Sequence, residues 1–380
     1  MGDASVTRSG PVVVVGGGFA GLESAIRLRQ LQPECPVVLI STSPDLLYRP
    51  WLIHLPAKRK RLSQMLIPLP PLAQRHGFKL ILGRTAEVDA QGSQVRLESG
   101  EIVPYAQLLL AAGSTADRGR IPGATENALF PCELQDAERL ATALESTSLK
   151  SITVLLGGER LGVGLEYAGW IARVRPDVAL TVVDMDGAVP GHLGRRAAKR
   201  VVSWLSGNGN RWLSDGPVLG VERGRVELAS GPLAADLVVV ATPLRGAPVG
   251  LPAGVLDGLG FVPVSANGES AQPGLFVHGD LAAYQNAAQI PKTMVWARSH
   301  VDPLARNVLD RRAGREPARD LIAAGPQGMM PDIGGRTVWV RRGRLVASGR
   351  WPLTLRRLAD ISYFNARGVP FRIDGAPDRS

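Results

Sequence analysis

The sequence predicts an α/β protein built on two copies of one strand–turn–helix–strand plan, and three observations carry that expectation. Two apolar, largely β-branched runs, at 11–15 and at 152–156, each break off at a cluster of glycines. Each cluster opens a helical apolar pattern that leads into a further apolar strand. Other short apolar runs end on glycine or small residues, as strands joining the same sheets should. With 380 residues, 45% of them hydrophobic and 21% charged, the chain suits two compact domains and has the composition of a globular protein.

In chain order, the run 11–15 stops at Gly16, Gly17 and Gly18, as a strand buried on both faces should. The next segment places Leu22, Ala25, Ile26 and Leu28 on one helical side between Glu23, Arg27 and Arg29. A strand at 37–40 ends at Ser41. Residues 48–71 are Pro-rich and mixed, and their basic cluster, Lys58, Arg59, Lys60 and Arg61, reads as a solvated loop or helix face. Strands follow at 95–97 and 107–110, the second running into Ala111, Ala112 and Gly113.

The second copy has a strand at 152–156 and a turn with Gly157, Gly158, Gly162 and Gly164. A helix at 165–174 follows, then a strand at 180–183 closed by Asp184. The run 237–240 echoes 107–110, and 274–277 leads into Gly279 and Asp280. A helix starts after Pro291 and continues through Val295, Ala297, Val301 and Leu304. The tail from Gly334 has two Trp-bearing, Arg-rich stretches before 353–364, which pattern alone leaves unplaced.

Gly16, Gly18 and Gly21 form GxGxxG directly after a strand and at the opening of a helix, the context that separates a dinucleotide-binding loop from a structural glycine turn. Gly16 permits the tight turn, Gly18 lets backbone approach a pyrophosphate and Gly21 lets helix meet strand, with Phe19 and Ala20 between them. The amides and positive end of the helix then hold phosphate. An acid is expected at the end of the second strand to bond ribose; Ser41 stands there, a weaker partner, with Asp45 or Glu34 as substitutes. Asp280 after Gly279 is placed to bond a flavin's ribityl or a phosphate-linked hydroxyl, although a lone Gly-Asp is ordinarily only a turn.

The net charge of +10 fits a phosphate-bearing cofactor, nucleic acid, an anionic membrane surface or simply an Arg-rich genome. Nucleic acid rests on charge alone, so no nucleic-acid partner is expected. Cys35 and Cys132 are the only cysteines and form no CxxC, which argues against a disulfide scaffold and a metal site and fits a reducing cytoplasm. No signal peptide and no span of about 18 to 20 apolar residues is read, so the expected protein is cytoplasmic, soluble or peripheral on the cytoplasmic face of a membrane.

The arrangement resembles the two-dinucleotide-binding-domain flavoproteins, and among them the type II NADH:quinone oxidoreductase and sulfide:quinone oxidoreductase group. The resemblance runs through VVVVGGGFAGLESAIRL, LLYRPWL, LLLAAGS, IPG, the second glycine turn, GLFVHGD and PKTMVWARSHVDPLARNV, of which the first and last two are the specific stretches. It implies two Rossmann-like FAD/NAD(P)-binding domains, the second inserted in the first, plus a small C-terminal extension. The expected boundaries are 1–115 and 266–330 for the FAD-binding domain, 116–265 for the NAD(P)-binding-like insert and 331–380 for the extension. It implies FAD contacts at Gly16, Gly18, Gly21, Ser41, Gly113, Gly279 and Asp280. Lys292, at the start of a helix, is implied beside the flavin's pyrimidine end, where its ammonium would stabilise the reduced form; without the resemblance it reads as a surface lysine. Trp296 and His300, one helical turn apart, line an acceptor pocket on this reading, with core packing the alternative for Trp296.

The second turn departs from the pattern. In GGERLGVGLEYAG, Glu159 falls where a second fingerprint glycine belongs, and a carboxylate there opposes a pyrophosphate. Asp184 sits where a ribose-binding acid should be and disfavours a 2′-phosphate, so the expected nucleotide is NADH rather than NADPH. Aligned through Gly164, Glu166 matches the group's glutamate near the nicotinamide. Ser41, GHLG at 191–194 and Cys132 lean toward the sulfide:quinone side, yet the cysteine pair that sulfide oxidation needs is missing, and Cys132 reads as an ordinary buried thiol.

In the tail, Trp351, Leu355, Leu358 and Ile361 share a side of a helix whose other side has Arg356, Arg357 and Asp360. That suits an interfacial helix on anionic lipid, favoured by Arg341, Arg342, Arg344 and Arg350, while docking on its own domain or in a homodimer fits the same pattern. The expected activity is transfer of electrons from NADH through FAD to a quinone. The alternatives are an FAD-dependent dehydrogenase or oxidase of a small molecule with a vestigial NAD site, and a non-catalytic flavin-binding protein.

Overall fold

The computed structural model describes residues 10–369 apart from 186, 188, 208, 215, 242, 286–289 and 324–327. The chain forms two compact units, one of Met1–Leu47, Leu66–Thr115 and Leu244–Pro326, the other of Tyr48–Met65, Ala116–Pro243 and Gln327–Ser380. The second unit ends its insert at Pro243, where the expected boundary is 265, and takes in the C-terminal extension together with Tyr48–Met65, which the expected boundaries give to the FAD-binding domain.

The first unit holds a five-stranded parallel sheet in the order Leu275–Val277, Gln107–Leu110, Val12–Val15, Val37–Ser41 and Lys79–Leu82. The first strand is central, with Val13 in register with Val38 on one side and Leu108 on the other. All four of its residues are buried, which is why it reads as an unbroken β-branched run. Strand order reverses beside it, so the loops at the carboxyl ends of Val12–Val15 and Gln107–Leu110 flank a topological switch point, where ligands bind in open α/β sheets. The glycine-loop helix, Phe19–Leu31, packs against a long helix, Met294–Arg312. The strand read at 95–97 is the middle of an antiparallel meander, Thr85–Asp89, Gln94–Leu97 and Ile102–Pro104.

The second unit repeats the plan. Its parallel sheet runs Arg211–Leu213, Ala179–Asp184, Ser151–Leu156 and Leu237–Val240, again with the first strand flanked on both sides. The helix Leu161–Val174 follows the glycine turn and contributes Leu165, Ala168 and Ile171 to the core. The extension supplies a hairpin, Thr337–Arg341 with Arg344–Gly349, and a last helix, Pro352–Ala366.

Candidate functional site

In the first unit the carboxyl ends of three adjacent strands bring Gly16, Gly113 and Gly279–Asp280 to one edge of the sheet. Gly16 has φ +117°, and a Cβ there would lie 2.4 Å from the Ala111 carbonyl oxygen. A Cβ on Gly21 would lie 1.9 Å from the Gly16 carbonyl oxygen, so the helix meets the loop at a distance only glycine allows. Gly18 is the opposite case: it has ordinary extended backbone, and among the described residues nothing stands within 4 Å of the place a Cβ would take. Gly113 has the same open space around it but a φ of +79°, which favours glycine. Among the described residues the glycine-loop helix has no side-chain cap at Gly18 and no acid in its first turn, so its positive end adjoins that open space.

Ser41 is buried at the end of its strand, with the Gly17 backbone against it: a Cβ on Gly17 would lie 2.1 Å from Ser41 Oγ. Its hydroxyl donates to the Ser43 carbonyl at 2.7 Å, so its proton is committed within its own turn. Asp280 accepts from the Ser114 hydroxyl at 2.9 Å, which fixes the carboxylate above the strand ends.

Next to Asp280 opens a small cleft, lined in part by Tyr284, Lys292, Thr293, Trp296 and His300. Thr293 caps the start of the long helix, accepting from the Trp296 amide, and so aims that helix at the cleft. Lys292 is buried: its ammonium donates to the Ala282 carbonyl at 2.6 Å and lies 4.3 Å from the centre of the Phe261 ring. Trp296 meets His300 edge-on at 5.7 Å, and Tyr284 Oη lies 3.2 Å from His300 Nδ1. Burial pushes the Tyr284 phenol above its usual range, so both groups stay neutral at physiological pH.

Two buried imidazoles make the unit acid-sensitive. Burial lowers His300 to about 4, helped by the nearby His278, and burial lowers His278 to about 4 against the opposing pull of the Ala297 and Ala20 carbonyls. A histidine whose folded value lies below its unfolded value near 6.5 contributes its full stability above 6.5. That stability drains as pH falls from 6.5 toward 4, because the unfolded chain takes up the proton first. The expected loss is up to about 3 kcal/mol per imidazole at about 1.36 kcal/mol per unit. Urea unfolding at pH 7 and pH 4.5 measures it, and a His300→Gln variant should show a shallower fall; equal slopes would contradict the assignment.

In the second unit the turn passes through a short 3-10 segment, Gly158–Arg160, into the helix Leu161–Val174. The side chain of Glu159 lies outside the described residues. Gly164 does for this helix what Gly21 does for the first, since a Cβ there would lie 2.5 Å from that of Leu156. Asp184 is buried at its strand end and accepts from the Val189 amide at 3.2 Å. Glu166 is buried too, and its carboxylate is taken by the Asp332 amide at 2.8 Å and by an ion pair with Arg356, which also donates to Met330 O. The Cys132 thiol, pushed up by burial, donates weakly to the Ala241 carbonyl at 3.5 Å.

The last helix is turned differently from its expected polar and apolar division. Trp351, Leu355 and Leu358 do face outward, 61%, 46% and 53% exposed. Arg356 and Asp360, assigned to the polar side, point inward: Asp360 accepts from Tyr48 Oη at 2.6 Å and Trp51 Nε1 at 3.0 Å, while Trp51 stacks on Phe364 at 4.4 Å. Buried partners override the sequence pattern at these two positions.

The sequence profile of the pyridine nucleotide-disulphide oxidoreductase family matches residues 10–300. The chain belongs to this family. Among its relatives in the pyridine nucleotide-disulphide oxidoreductases, the sulfide-quinone reductase of Aquifex aeolicus is 26% identical over 229 residues, 57% of this chain and 53% of that sequence. An NADH dehydrogenase-like protein of Mycobacterium tuberculosis is 29% identical over 259 residues, 62% of each chain. The chain thus spans about half the length of the first of these relatives and three-fifths of the second. Its fold is shared with the sulfide:quinone oxidoreductase of Aquifex aeolicus, at a TM-score of 0.80 and 20% identity over 97% of this chain and 93% of that one. It is also shared with NDH2 from Plasmodium falciparum in complex with NADH, at 0.76 and 12% over 94% and 95%.

The pyridine nucleotide-disulphide oxidoreductases are flavoproteins that use FAD. The first unit fits that group: Gly18 and Gly113 leave space beside the start of the glycine-loop helix, and Asp280 is held at the same sheet edge. Sequence reasoning missed Ser114, Tyr284 and His278. His278 alone left a signal, a polar residue closing the buried run Leu275–Val277 just before Gly279.

Proposed function

We propose that the protein passes electrons from NADH through FAD to a quinone-type acceptor. The observation that carries the reading is the cleft beside Asp280, where one buried ammonium, Lys292, stands among neutral aromatic groups. FAD, when bound, supplies the two-electron relay between a hydride donor and the acceptor. The backbone around Gly18 holds the diphosphate and Asp280 orients a hydroxyl. Lys292 and the start of the long helix stabilise negative charge at the ring end. Trp296 and His300, with Tyr284, form the acceptor's wall, and their apolar surface suits a planar, weakly polar molecule.

Asp184, at the end of the second strand of its unit, supports NADH over NADPH. Glu166 is assigned to holding the helix of the second glycine turn, because both partners of its carboxylate are internal. The outward stripe of Trp351, Leu355 and Leu358, beside the exposed Arg357, supports a peripheral contact with an anionic membrane that would supply the quinone. No helix among the described residues is long and apolar enough to cross a membrane.

Anaerobic titration tests the reading. NADH should bleach the flavin absorbance at far lower concentration than NADPH, and a soluble quinone should restore it. A flavin that neither nucleotide bleaches would favour a second reading, an FAD-dependent dehydrogenase or oxidase of a small molecule, which the internal engagement of Glu166 supports.

A further inference from the structure

His278 is fully buried at the end of the strand Leu275–Val277, directly before Gly279 and Asp280. Its Nε2 lies 2.8 Å from the Ala297 carbonyl oxygen, in the first turn of the helix Met294–Arg312. Its Nδ1 lies 2.8 Å from Ser24 Oγ and 3.1 Å from the Ala20 carbonyl oxygen, both in the glycine-loop helix. A carbonyl oxygen only accepts, so Ala297 requires the ring proton on Nε2. Nδ1 is then a bare acceptor, satisfied by the Ser24 hydroxyl and set against an Ala20 oxygen that has nothing to donate. The junction has no slack, because a Cβ on Gly279 would lie 2.9 Å from that of Ala20 and 3.9 Å from that of Ala297.

The geometry points to His278 as a positioning residue: a neutral imidazole that ties the second turn of the glycine-loop helix, through Ser24, to the first turn of the cleft helix. It thereby sets the spacing between the part of the unit that grips the FAD diphosphate and the part that faces the ring. This rests on FAD occupying the first unit. A helix start favours an anion more as charge builds up, so releasing the cleft helix weakens binding of the reduced cofactor more than of the oxidised one. The charged and titratable groups around the junction are His300 on the cleft helix, the ion pair between Arg27 of the glycine-loop helix and Asp302, and Asp280 on the histidine's own segment.

His278→Gln can set an N–H donor where Nε2 stands, whereas the shorter amide of His278→Asn reaches only the Nδ1 position and leaves the Ala297 carbonyl without its donor. The Asn variant should bind oxidised FAD about tenfold and reduced FAD about a hundredfold more weakly. That tenfold difference lowers the midpoint potential by about 30 mV for a two-electron couple. The Gln variant should return the potential to near the wild-type value. Loss of thermal stability in both variants with an unmoved potential would overturn the proposal. A second arm needs no FAD: in the full chain, Ser24→Ala leaves two acceptors facing each other, and NMR titration should show the His278 imidazole raised relative to wild type. An unchanged titration would overturn the tautomer assignment and the proposal with it, whereas failure of the wild-type protein to take up FAD would count against the cofactor reading alone.

Discussion

Replacing Gly18 by aspartate is expected to weaken FAD binding by at least about a hundredfold, roughly 2.7 kcal/mol, while leaving the fold intact. The position has extended backbone, φ −74° and ψ −175°, that any residue adopts, and among the described residues no atom lies within 4 Å of a new Cβ. Aspartate is moreover a favoured residue at a helix N-cap, so the protein without cofactor should unfold at or above the wild-type temperature. The carboxylate instead enters the space where the diphosphate belongs and repels it. Gly21→Ala is the contrast. Its methyl would meet the Gly16 carbonyl at 1.9 Å, so both stability and FAD binding should fall. Fluorescence titration with FAD, beside thermal unfolding of each protein, separates the two; wild-type affinity in the Gly18→Asp protein would contradict the site.

The second large effect belongs to the ion pair of Glu166 and Arg356. Glu166→Ala strands a guanidinium that cannot shed its charge, and the expected loss is about 3 kcal/mol of unfolding free energy. Arg356→Ala should cost less. Burial already raises the Glu166 carboxyl above its ordinary value, so without its partner it takes up a proton and loses its charge. Denaturant unfolding of both variants and of the Glu166→Leu, Arg356→Met double variant measures the asymmetry, and the double variant should recover most of the loss. If Glu166→Ala were neutral to stability while abolishing NADH turnover, the carboxylate would belong to catalysis instead.

How much was legible in the sequence divides along the range of the interactions. The strand Val12–Val15, its glycine loop and the helix after it are set by neighbouring residues, and so are their second copies. The strand Lys79–Leu82 was missed because its apolar run, Leu80 to Leu82, is short, and at the sheet edge Lys79 and Leu82 are exposed. The inner face of the last helix was unreadable for another reason. Arg356 and Asp360 look solvent-facing until Glu166, Tyr48 and Trp51 are brought to them from far along the chain. Ser41 lies between these cases: its place at the strand end was legible, but its bond to the Ser43 carbonyl was not.

The account stands on the first glycine loop as the seat of FAD. Folded protein should release one FAD per chain on denaturation, or take up one when the nucleotide is supplied in excess, with a flavin absorption band to match. Well-folded protein that stays colourless and binds no FAD under those conditions would contradict it.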